Sequence, residues 1–430
     1  TMIFNGSVPV ERLERSQRAY YAFCVLNGLA YMCVGEGVVV LFAVKCGFPD
    51  FVVSIVGAML YLGYLLLPLG RTACARVGAV RSQAFFWVAR NLAALLTAAG
   101  GIAAWCGFHS CGLAALVSGT FLFYGFRAAG VVMSQPLLGC ITGPNERGRV
   151  LGISNGIFCG ACMLSLLLVS LFLSRKSSVW SLAGVMAAGS CLGMGASRFL
   201  RRIDESAELR ESAKRPLRAE VCQALRSSAL WKLVFAVFSL NTARIMIAPI
   251  SILVVKRAYG ISDTNALLFT LVQFLAGMCA SFVSARIDNA IGPGRGMLAG
   301  YGLMLLAPVL WLCRGDVFQP AAVATVFAVY GIGSFLAENA NIHYFLQTFP
   351  KEEQVRSSIL LQIFASAGAG LAGMALSGTL IHWTMKINPS EPMAGFHAYF
   401  ALSLVVLSAA SLLICRLVPL PPDKRRRREP

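Results

Sequence analysis

Five charged side chains lie inside long apolar stretches, where a charge needs a partner or a polar cavity. They are Glu36, Arg90, Arg127, Arg244 and Glu338. Each costs about 2.5–3.5 kcal/mol at the centre of a membrane helix on insertion scales. Arginine can hold a carboxylate or phosphate by two parallel hydrogen bonds, and a carboxylate in a low-dielectric site can carry a proton. The pattern predicts a site for an anionic solute and a coupling proton.

Neutral polar residues share helical faces with four of these charges, because residues three or four positions apart lie on one face of a helix. The predicted solute-binding residues are Arg127, Arg244, Tyr124, Asn241, Asn341, Asn27 and Tyr31. Glu36 and Glu338 are the candidates for the residue that carries the coupling proton or forms a bridge. The alternative is that the arginines and glutamates form bridges that hold the two halves together. Such bridges would be structural or gating and would not contact the solute. Arg90 is expected to pair with a neighbour or to support the cavity from behind.

The elements that must position these residues are membrane helices. Of 430 residues, 57% are hydrophobic and 13% charged, whereas soluble domains carry roughly 25% charged residues. With ~20 residues needed for one span, the apolar stretches predict an all-α protein with twelve transmembrane helices. They lie at about 19–44, 51–69, 83–106, 112–135, 149–173, 178–197, 229–255, 264–285, 296–313, 319–345, 357–383 and 395–418.

The twelve stretches form two groups of six. We expect an N-terminal six-helix bundle (1–197), a cytoplasmic basic linker (198–228) and a C-terminal six-helix bundle with a basic tail (229–430). The linker is interpreted as a solvated charged segment, with a lipid-headgroup or partner site as the alternative.

The net charge of +18 reflects the distribution of Lys and Arg among the loops. Both termini and the even-numbered loops hold 26 of these residues, and the opposite loops hold 7. By the positive-inside rule this bias predicts that both termini face the cytoplasm. No cleavable signal peptide is recognised, so the first helix is expected to be retained in a cell (inner or plasma) membrane.

The loops after the second and eighth stretches have related sequences. They read GRTACARVGAVR (70–81) and SARIDNAIGPGR (284–295), and a shift of 214 residues places Gly78 on Gly292, Arg81 on Arg295 and Cys74 on Asp288. Related signals at the same point of both halves indicate a duplicated six-helix unit.

These features resemble the major facilitator superfamily, whose loop between the second and third helices follows G-x-L-a-D-r-x-G-r-r and recurs between the eighth and ninth. The positions that match loosely here are Gly70, Arg76, Gly78, Arg81, Asp288, Gly292 and Arg295. Cys74 stands at the acidic position of the first loop, so the family's gating ion pair is expected only around Asp288.

The resemblance implies two pseudo-symmetric six-helix bundles that alternate access by rocking around a midplane site. In the family the first, fourth, seventh and tenth helices line the cavity, and these carry Glu36, Arg127, Arg244 and Glu338. The resemblance also implies gating roles for the loop residues Arg76, Gly78, Arg81, Asp288, Gly292 and Arg295.

Enzyme chemistry is not supported, because the sequence has no P-loop, H-E-x-x-H or G-x-S-x-G motif and no large extramembrane domain. No cofactor is expected. Cys159 and Cys162 have metal-like spacing, but they lie in an apolar helix without a nearby His. A disulfide between Cys106 and Cys111, which flank an external loop, is left open.

The prediction is a monomeric, proton-coupled secondary active transporter (a symporter) that moves a small carboxylate- or phosphate-bearing solute across a lipid bilayer, with no nucleic-acid partner. The alternatives are an efflux antiporter for drugs or hydrophobic compounds, and a non-transporting membrane sensor or scaffold. Drug–proton antiporters of the family carry a fifth-helix motif that ends in Gly-Pro. The fifth stretch has Gly152, Gly156 and Gly160 but no Pro. The missing Pro argues against the efflux alternative.

Overall fold

The computed structural model describes residues 2–4, 8–132, 134–142, 147–214, 226–349, 357–387 and 391–417. Within these residues, twelve helical segments are long and apolar enough to cross a membrane. The twelve predicted spans are therefore confirmed.

The described part of the chain up to Leu200 contains nine helices, eight of which form the first six spans. Their bounds are α1 Val10–Val34, α2 Glu36–Lys45, α3 Asp50–Leu62, α4 Leu67–Val77, α5 Ala79–Trp105, α6 His109–Val131, α7 Ser134–Cys140, α8 Arg147–Arg175 and α9 Val179–Leu200. The first span is α1 followed by α2, with a break at Gly35. The second is α3 and α4, joined by a 3₁₀ turn at Gly63–Leu66. The short α7 lies between the fourth and fifth spans.

A short helix, α10 (Ala207–Lys214), precedes the second group of spans. The helices that follow are α11 Ser228–Leu253, α12 Asp263–Ile291, α13 Pro293–Leu312, α14 Pro320–Thr348, α15 Gly368–Ile387 and α16 Pro392–Cys415. A π-helical turn, Val254–Ala258, extends α11, and a second one, Gln362–Ala367, leads into α15.

Local sequence signals account for the helix ends. Ser178, Ser227 and Ser262 accept hydrogen bonds from backbone N–H groups three residues later, as N-cap side chains do. Helices α13, α14 and α16 have Pro in the first turn, where the missing N–H has no intrahelical partner anyway.

The contacts divide the chain into two compact units. Unit 1 comprises Thr1–Pro49 and Met59–Pro216, and unit 2 comprises Asp50–Ala58 and Leu217–Pro430. The first part of α3 thus belongs with unit 2, where Asp50 Oδ1 accepts a hydrogen bond from Arg257 Nε at 3.1 Å and Ser54 Oγ lies 3.1 Å from Ser377 Oγ.

The start of the predicted linker is buried in unit 1. After α9, residues 203–206 are each at most 4% exposed, and a two-stranded parallel sheet pairs β1 (Ile3–Phe4) with β2 (Glu205–Ser206). Asp204 accepts hydrogen bonds from Met2 N at 2.7 Å and from Arg12 Nη1 at 3.3 Å. This part of the linker is therefore packed rather than solvated; residues 215–225 lie outside the described segments.

Glycines allow α13 and α14 to approach closely in unit 2. A Cβ added to Gly300 would lie 2.5 Å from Ala337 N, and one added to Gly333 would lie 2.6 Å from Met304 N. Real Cβ atoms essentially never come so close to backbone atoms. Gly302, two residues along α13, has nothing within 4 Å of the same added atom.

We predict that Gly300→Val destabilises the protein by about 1–3 kcal/mol or more, because the larger side chain forces the two helices apart. Thermal unfolding of the purified protein in detergent measures the effect. Gly302→Val in the same helix is the control and should leave the unfolding midpoint nearly unchanged. Equal midpoints for the two variants would contradict the close approach of α13 and α14.

Candidate functional site

Unit 1 contains a group of arginine, aromatic and amide side chains, here called the arginine–aromatic cluster. Three helices supply it: α1, α5 and α6. Its members are Asn27, Tyr31, Trp87, Arg90, Phe123 and Arg127. The break at Gly35 ends α1 shortly after Tyr31, and Glu36 begins α2. The side chain of Glu36 lies outside the described part of the structure.

Arg90 is the buried centre of this cluster, with 1% of its surface exposed. Its Nη1 donates a hydrogen bond to Asn27 Oδ1 at 3.1 Å, and Trp87 Nε1 donates to the same oxygen at 3.1 Å. Its Cζ lies 4.6 Å from the ring centre of Phe123 and 5.0 Å from that of Trp87. Cation–π attraction is strong when the cation is desolvated, so the rings replace part of the lost hydration. Arg90 Nε has no hydrogen-bond partner among the described residues.

Arg127 lies in the same cluster but is partly exposed. Its Cζ is 5.5 Å from the centre of the Tyr31 ring, the same distance as Arg90 Cζ from that ring. The Tyr64 side chain hydrogen-bonds Arg127, and the two arginine charges repel each other. Among the described side chains, neither arginine forms an ion pair with a carboxylate. The cluster therefore concentrates positive charge on one buried and one partly exposed guanidinium group.

In unit 2, Arg244 on α11 is paired with Glu338 on α14. Arg244 Nη1 donates to Glu338 Oε2 at 2.6 Å and to Asn241 Oδ1 at 3.3 Å. Its Nε donates to Ser334 Oγ at 3.0 Å, and its Nη2 donates to Ser334 O at 2.7 Å. The Arg244 side chain is 13% exposed, whereas that of Glu338 is 44% exposed. The guanidinium group of Arg244 thus uses most of its hydrogen-bonding capacity within the protein, and the carboxylate of Glu338 is the more exposed member of the pair.

A second chain of polar contacts joins Asn241 to the π-helical turn. Asn241 Nδ2 donates to Ser366 Oγ at 3.0 Å, and Ser366 Oγ donates to Gln362 Oε1 at 2.6 Å. π-Helical turns are frequent at functional sites. Asn341 is 5% exposed, and its Oδ1 has no hydrogen-bond partner in the described residues; no hydrogen bond joins it to the Arg244–Glu338 pair.

The loop residues are placed alike in the two units. Gly78 ends α4 with φ 92° and ψ 164°, and Gly292 ends α12 with φ 88° and ψ 147°. Such positive φ values favour glycine. The similar backbone conformations of the two glycines support the duplication inferred from the sequence. Arg81 and Arg295, each the third residue of the next helix, are both exposed. Arg76 O accepts a hydrogen bond from Arg210 Nη2 at 2.7 Å.

Asp288 is 4% exposed and contacts His343, whose Nδ1 lies 3.4 Å from Asp288 Oδ2. Burial raises the pKa of the Asp288 carboxyl above its usual value, and the contact with His343 opposes that rise. His343 Nε2 lies 2.6 Å from Gln347 Nε2. The acidic residue expected in the second loop therefore has a histidine partner.

The structure brings together Asn27, Tyr31 and Arg127 in unit 1, and Asn241, Arg244 and Glu338 in unit 2. Tyr124 packs against Phe123 with ring centres 5.1 Å apart and is 2% exposed. Sequence reasoning missed several contributors, although Ser334 stands four residues before Glu338 on the same face. The missed residues are Trp87, Phe123, Tyr64, Ser334, Gln362 and Ser366. Cys106 and Cys111 are exposed free thiols.

Twelve apolar helical spans within the described residues, two compact units and a repeated loop conformation define the class: a multi-pass helical membrane protein with a duplicated architecture. The sequence profile of the Major Facilitator Superfamily matches residues 89–373, more than half of the chain. The chain belongs to this superfamily. It is therefore a secondary transporter and not an enzyme. No curated protein sequence matches it significantly.

Solved structures of transporters share the fold. A mutant of the nucleoside transporter NupG has a TM-score of 0.71 at 12% identity, covering 92% of this chain and 99% of its own. The xylose transporter XylE from E. coli, partially occluded and inward open, has a TM-score of 0.66 at 14% identity, covering 95% and 98%. A bacterial homologue of the human lysosomal transporter Spinster has a TM-score of 0.63 at 13% identity, covering 95% and 97%. At these identities the likeness establishes the fold alone.

We predict that Asn27→Leu lowers the free energy of unfolding by about 2–4 kcal/mol, because Arg90 and Trp87 lose their shared acceptor inside the protein. Asn27→Asp keeps an acceptor and adds an opposite charge beside Arg90, so it should retain most of the stability. Denaturation followed by Trp fluorescence measures both variants. A neutral effect of Asn27→Leu would show that Arg90 does not depend on this contact.

Proposed function

We propose that the protein is a proton-coupled symporter for a small organic solute that carries a carboxylate or phosphate. The observation that carries this proposal is the contrast between the two arginine sites. Arg127 is partly exposed and has no carboxylate partner among the described side chains, whereas Arg244 is held by Glu338. The first arrangement is suited to receive an anion, and the second is suited to exchange a proton.

Arg127 is the proposed primary anchor for the anionic group. A guanidinium is planar and matches two oxygen atoms of a carboxylate or phosphate. The Arg90 charge behind it makes the local potential more positive, and such a potential favours an anion over a neutral or cationic solute. Asn27 and Tyr31 provide the amide and ring that border the guanidinium groups. Export of cationic compounds is disfavoured by the same charges.

Glu338 is the proposed proton carrier, with Arg244 as its partner. Protonation of Glu338 removes the charge that holds Arg244 Nη1 at 2.6 Å. Arg244 can then donate to the anionic solute instead. Proton binding and solute binding would each favour the other, because the coupling between two sites is reciprocal. Glu36 is retained as the second candidate for the proton.

We propose further that the protein lies in the cell membrane as a monomer, with both termini in the cytoplasm. The distribution of Lys and Arg among the loops, 26 against 7, supports this orientation. In that orientation the loops that contain Gly78 and Gly292 would face the cytoplasm, where they would gate the site.

We expect a thermal-shift screen of carboxylates, phosphates, sugars and drugs to find an anionic compound that raises the unfolding midpoint. Arg127→Ala should weaken binding of that compound at least ~30-fold, because removing one partner of a charge pair that the bound solute would bury costs about 2–5 kcal/mol. Arg175→Ala, at the end of α8, is the matched control and should bind normally. A cationic or neutral ligand that still binds Arg127→Ala would favour drug export instead.

We expect uptake of the identified solute into proteoliposomes to depend on a pH gradient in the wild-type protein. Glu338→Gln should lose this dependence but still exchange labelled for unlabelled solute, because Gln imitates the protonated carboxyl. Glu36→Gln should retain the dependence. The reverse pattern would place the proton on Glu36, and an absence of pH dependence in the wild type would remove proton coupling.

A further inference from the structure

The related loops of the two units differ at one buried position. In unit 2 the loop holds Asp288, whose side chain lies against Gly296 in the first turn of α13. The shift of 214 residues places Cys74 and Ser82 at these positions in unit 1. Cys74 is 2% exposed and Ser82 is 1% exposed. The loop of unit 1 therefore has buried residues at the same two positions as unit 2, but neither of them is a carboxylate.

A carboxylate from the linker occupies this place in unit 1. Glu205, in β2, is 1% exposed, and its Oε2 accepts a hydrogen bond from Val80 N at 2.9 Å. It also interacts electrostatically with Cys74. Val80 is the second residue of α5, where N–H groups have no intrahelical acceptor and carry partial positive charge. Glu205 thus provides a hydrogen-bond acceptor for a backbone N–H group in the first turn of α5, the helix that carries Trp87 and Arg90.

Several groups around Glu205 stabilise the charged form of its carboxyl group. Burial raises the pKa of the Glu205 carboxyl, while the N–H groups of Val80 and Ala79 and the nearby charge of Arg81 oppose that rise. A Cβ at position 78 would collide with Glu205 Oε1, so Gly78 leaves the room that the carboxylate needs.

Further contacts attach the linker to the same loop. Arg210 on α10 donates to Ala75 O at 3.3 Å and to Arg76 O at 2.7 Å. Arg71 Nε donates to Ala213 O at 3.4 Å. The segment from residue 203 to 214 is therefore packed along the loop between α4 and α5, and Glu205 is its buried point of attachment.

We propose that Glu205 replaces, from the linker, the carboxylate that unit 1 lacks at Cys74. The first part of the linker is then a component of the unit 1 loop, and Glu205 is a positioning residue for α5 and for the arginine–aromatic cluster on it. The effect on uptake rests on the proposed function, whereas the replacement itself is tested without a solute.

The test is a double-mutant cycle between positions 74 and 205, measured by thermal unfolding of the full-length protein. Glu205→Ala should lower the midpoint by ~3–8 °C, because Val80 N–H loses its buried acceptor. Cys74→Asp should lower the midpoint in the wild-type background, because two carboxylates then share one buried place. In the Glu205→Ala background the same Cys74→Asp change should raise it, to within ~2 °C of the wild type.

Cys74→Asn in the Glu205→Ala background is the matched control, because it has the shape of Asp without the charge, and it should not restore the midpoint. If Glu205→Ala does not fold, Glu205→Gln serves as the neutral background. The proposal would be overturned if Cys74→Asp changed the unfolding midpoint equally with and without Glu205. It would also be overturned if Cys74→Asn restored the midpoint as well as Cys74→Asp does.

Uptake gives the second readout, with the solute found in the thermal-shift screen. Glu205→Ala should reduce the maximal rate, and Cys74→Asp should restore it in that background while Cys74→Asn does not. A restored midpoint without restored uptake would limit Glu205 to a structural role. If no anionic solute is found, the proposed function fails, but the thermal cycle still decides whether Glu205 replaces the missing carboxylate.

Discussion

The interior of a lipid bilayer offers no water to a charged side chain, so every buried guanidinium or carboxylate must find other groups that replace its hydration. The two units meet this constraint differently. In unit 1, Arg90 is surrounded by the rings of Trp87 and Phe123 and bonded to a neutral amide. In unit 2, Arg244 is neutralised by a carboxylate. A duplicated fold thereby carries two electrostatically different sites, and the division of roles proposed for them follows from that difference.

Close helix packing is what allows these side chains to meet. Gly63 lies where a Cβ would collide with the backbone at Tyr124, and Gly130 lies where it would collide with the Trp87 ring. Small residues at such crossings are typical of membrane helices, whose association depends on close packing rather than on a hydrophobic driving force. The sites therefore depend on the absence of a side chain at these glycines as well as on the polar groups that other residues supply.

The spans and the repeated loops could be predicted from the sequence, because the length of an apolar stretch and the position of a glycine are local signals. The sequence also placed Asn241 beside Arg244 and Asn27 beside Tyr31, since helical spacing determines which residues share a face. It could not pair Arg244 with Glu338, 94 residues away, because helical spacing says nothing about which faces oppose each other. Glu205 was missed for a further reason: the charged linker has the composition of a solvated segment, and only tertiary packing buries its carboxylate.

The ion pair between Arg244 and Glu338 has a consequence for the energy source of the proposed cycle. If a proton neutralises Glu338 and a singly charged anion takes its place beside Arg244, the net charge of that site is the same when empty and when loaded. One proton and one monoanion then cross the membrane without net movement of charge. The membrane potential, worth ~2.3 kcal/mol per elementary charge per 100 mV, would contribute nothing to accumulation. A doubly charged solute would instead move against the potential of a negative cell interior, so this single ion pair would make solute valence decide whether voltage matters.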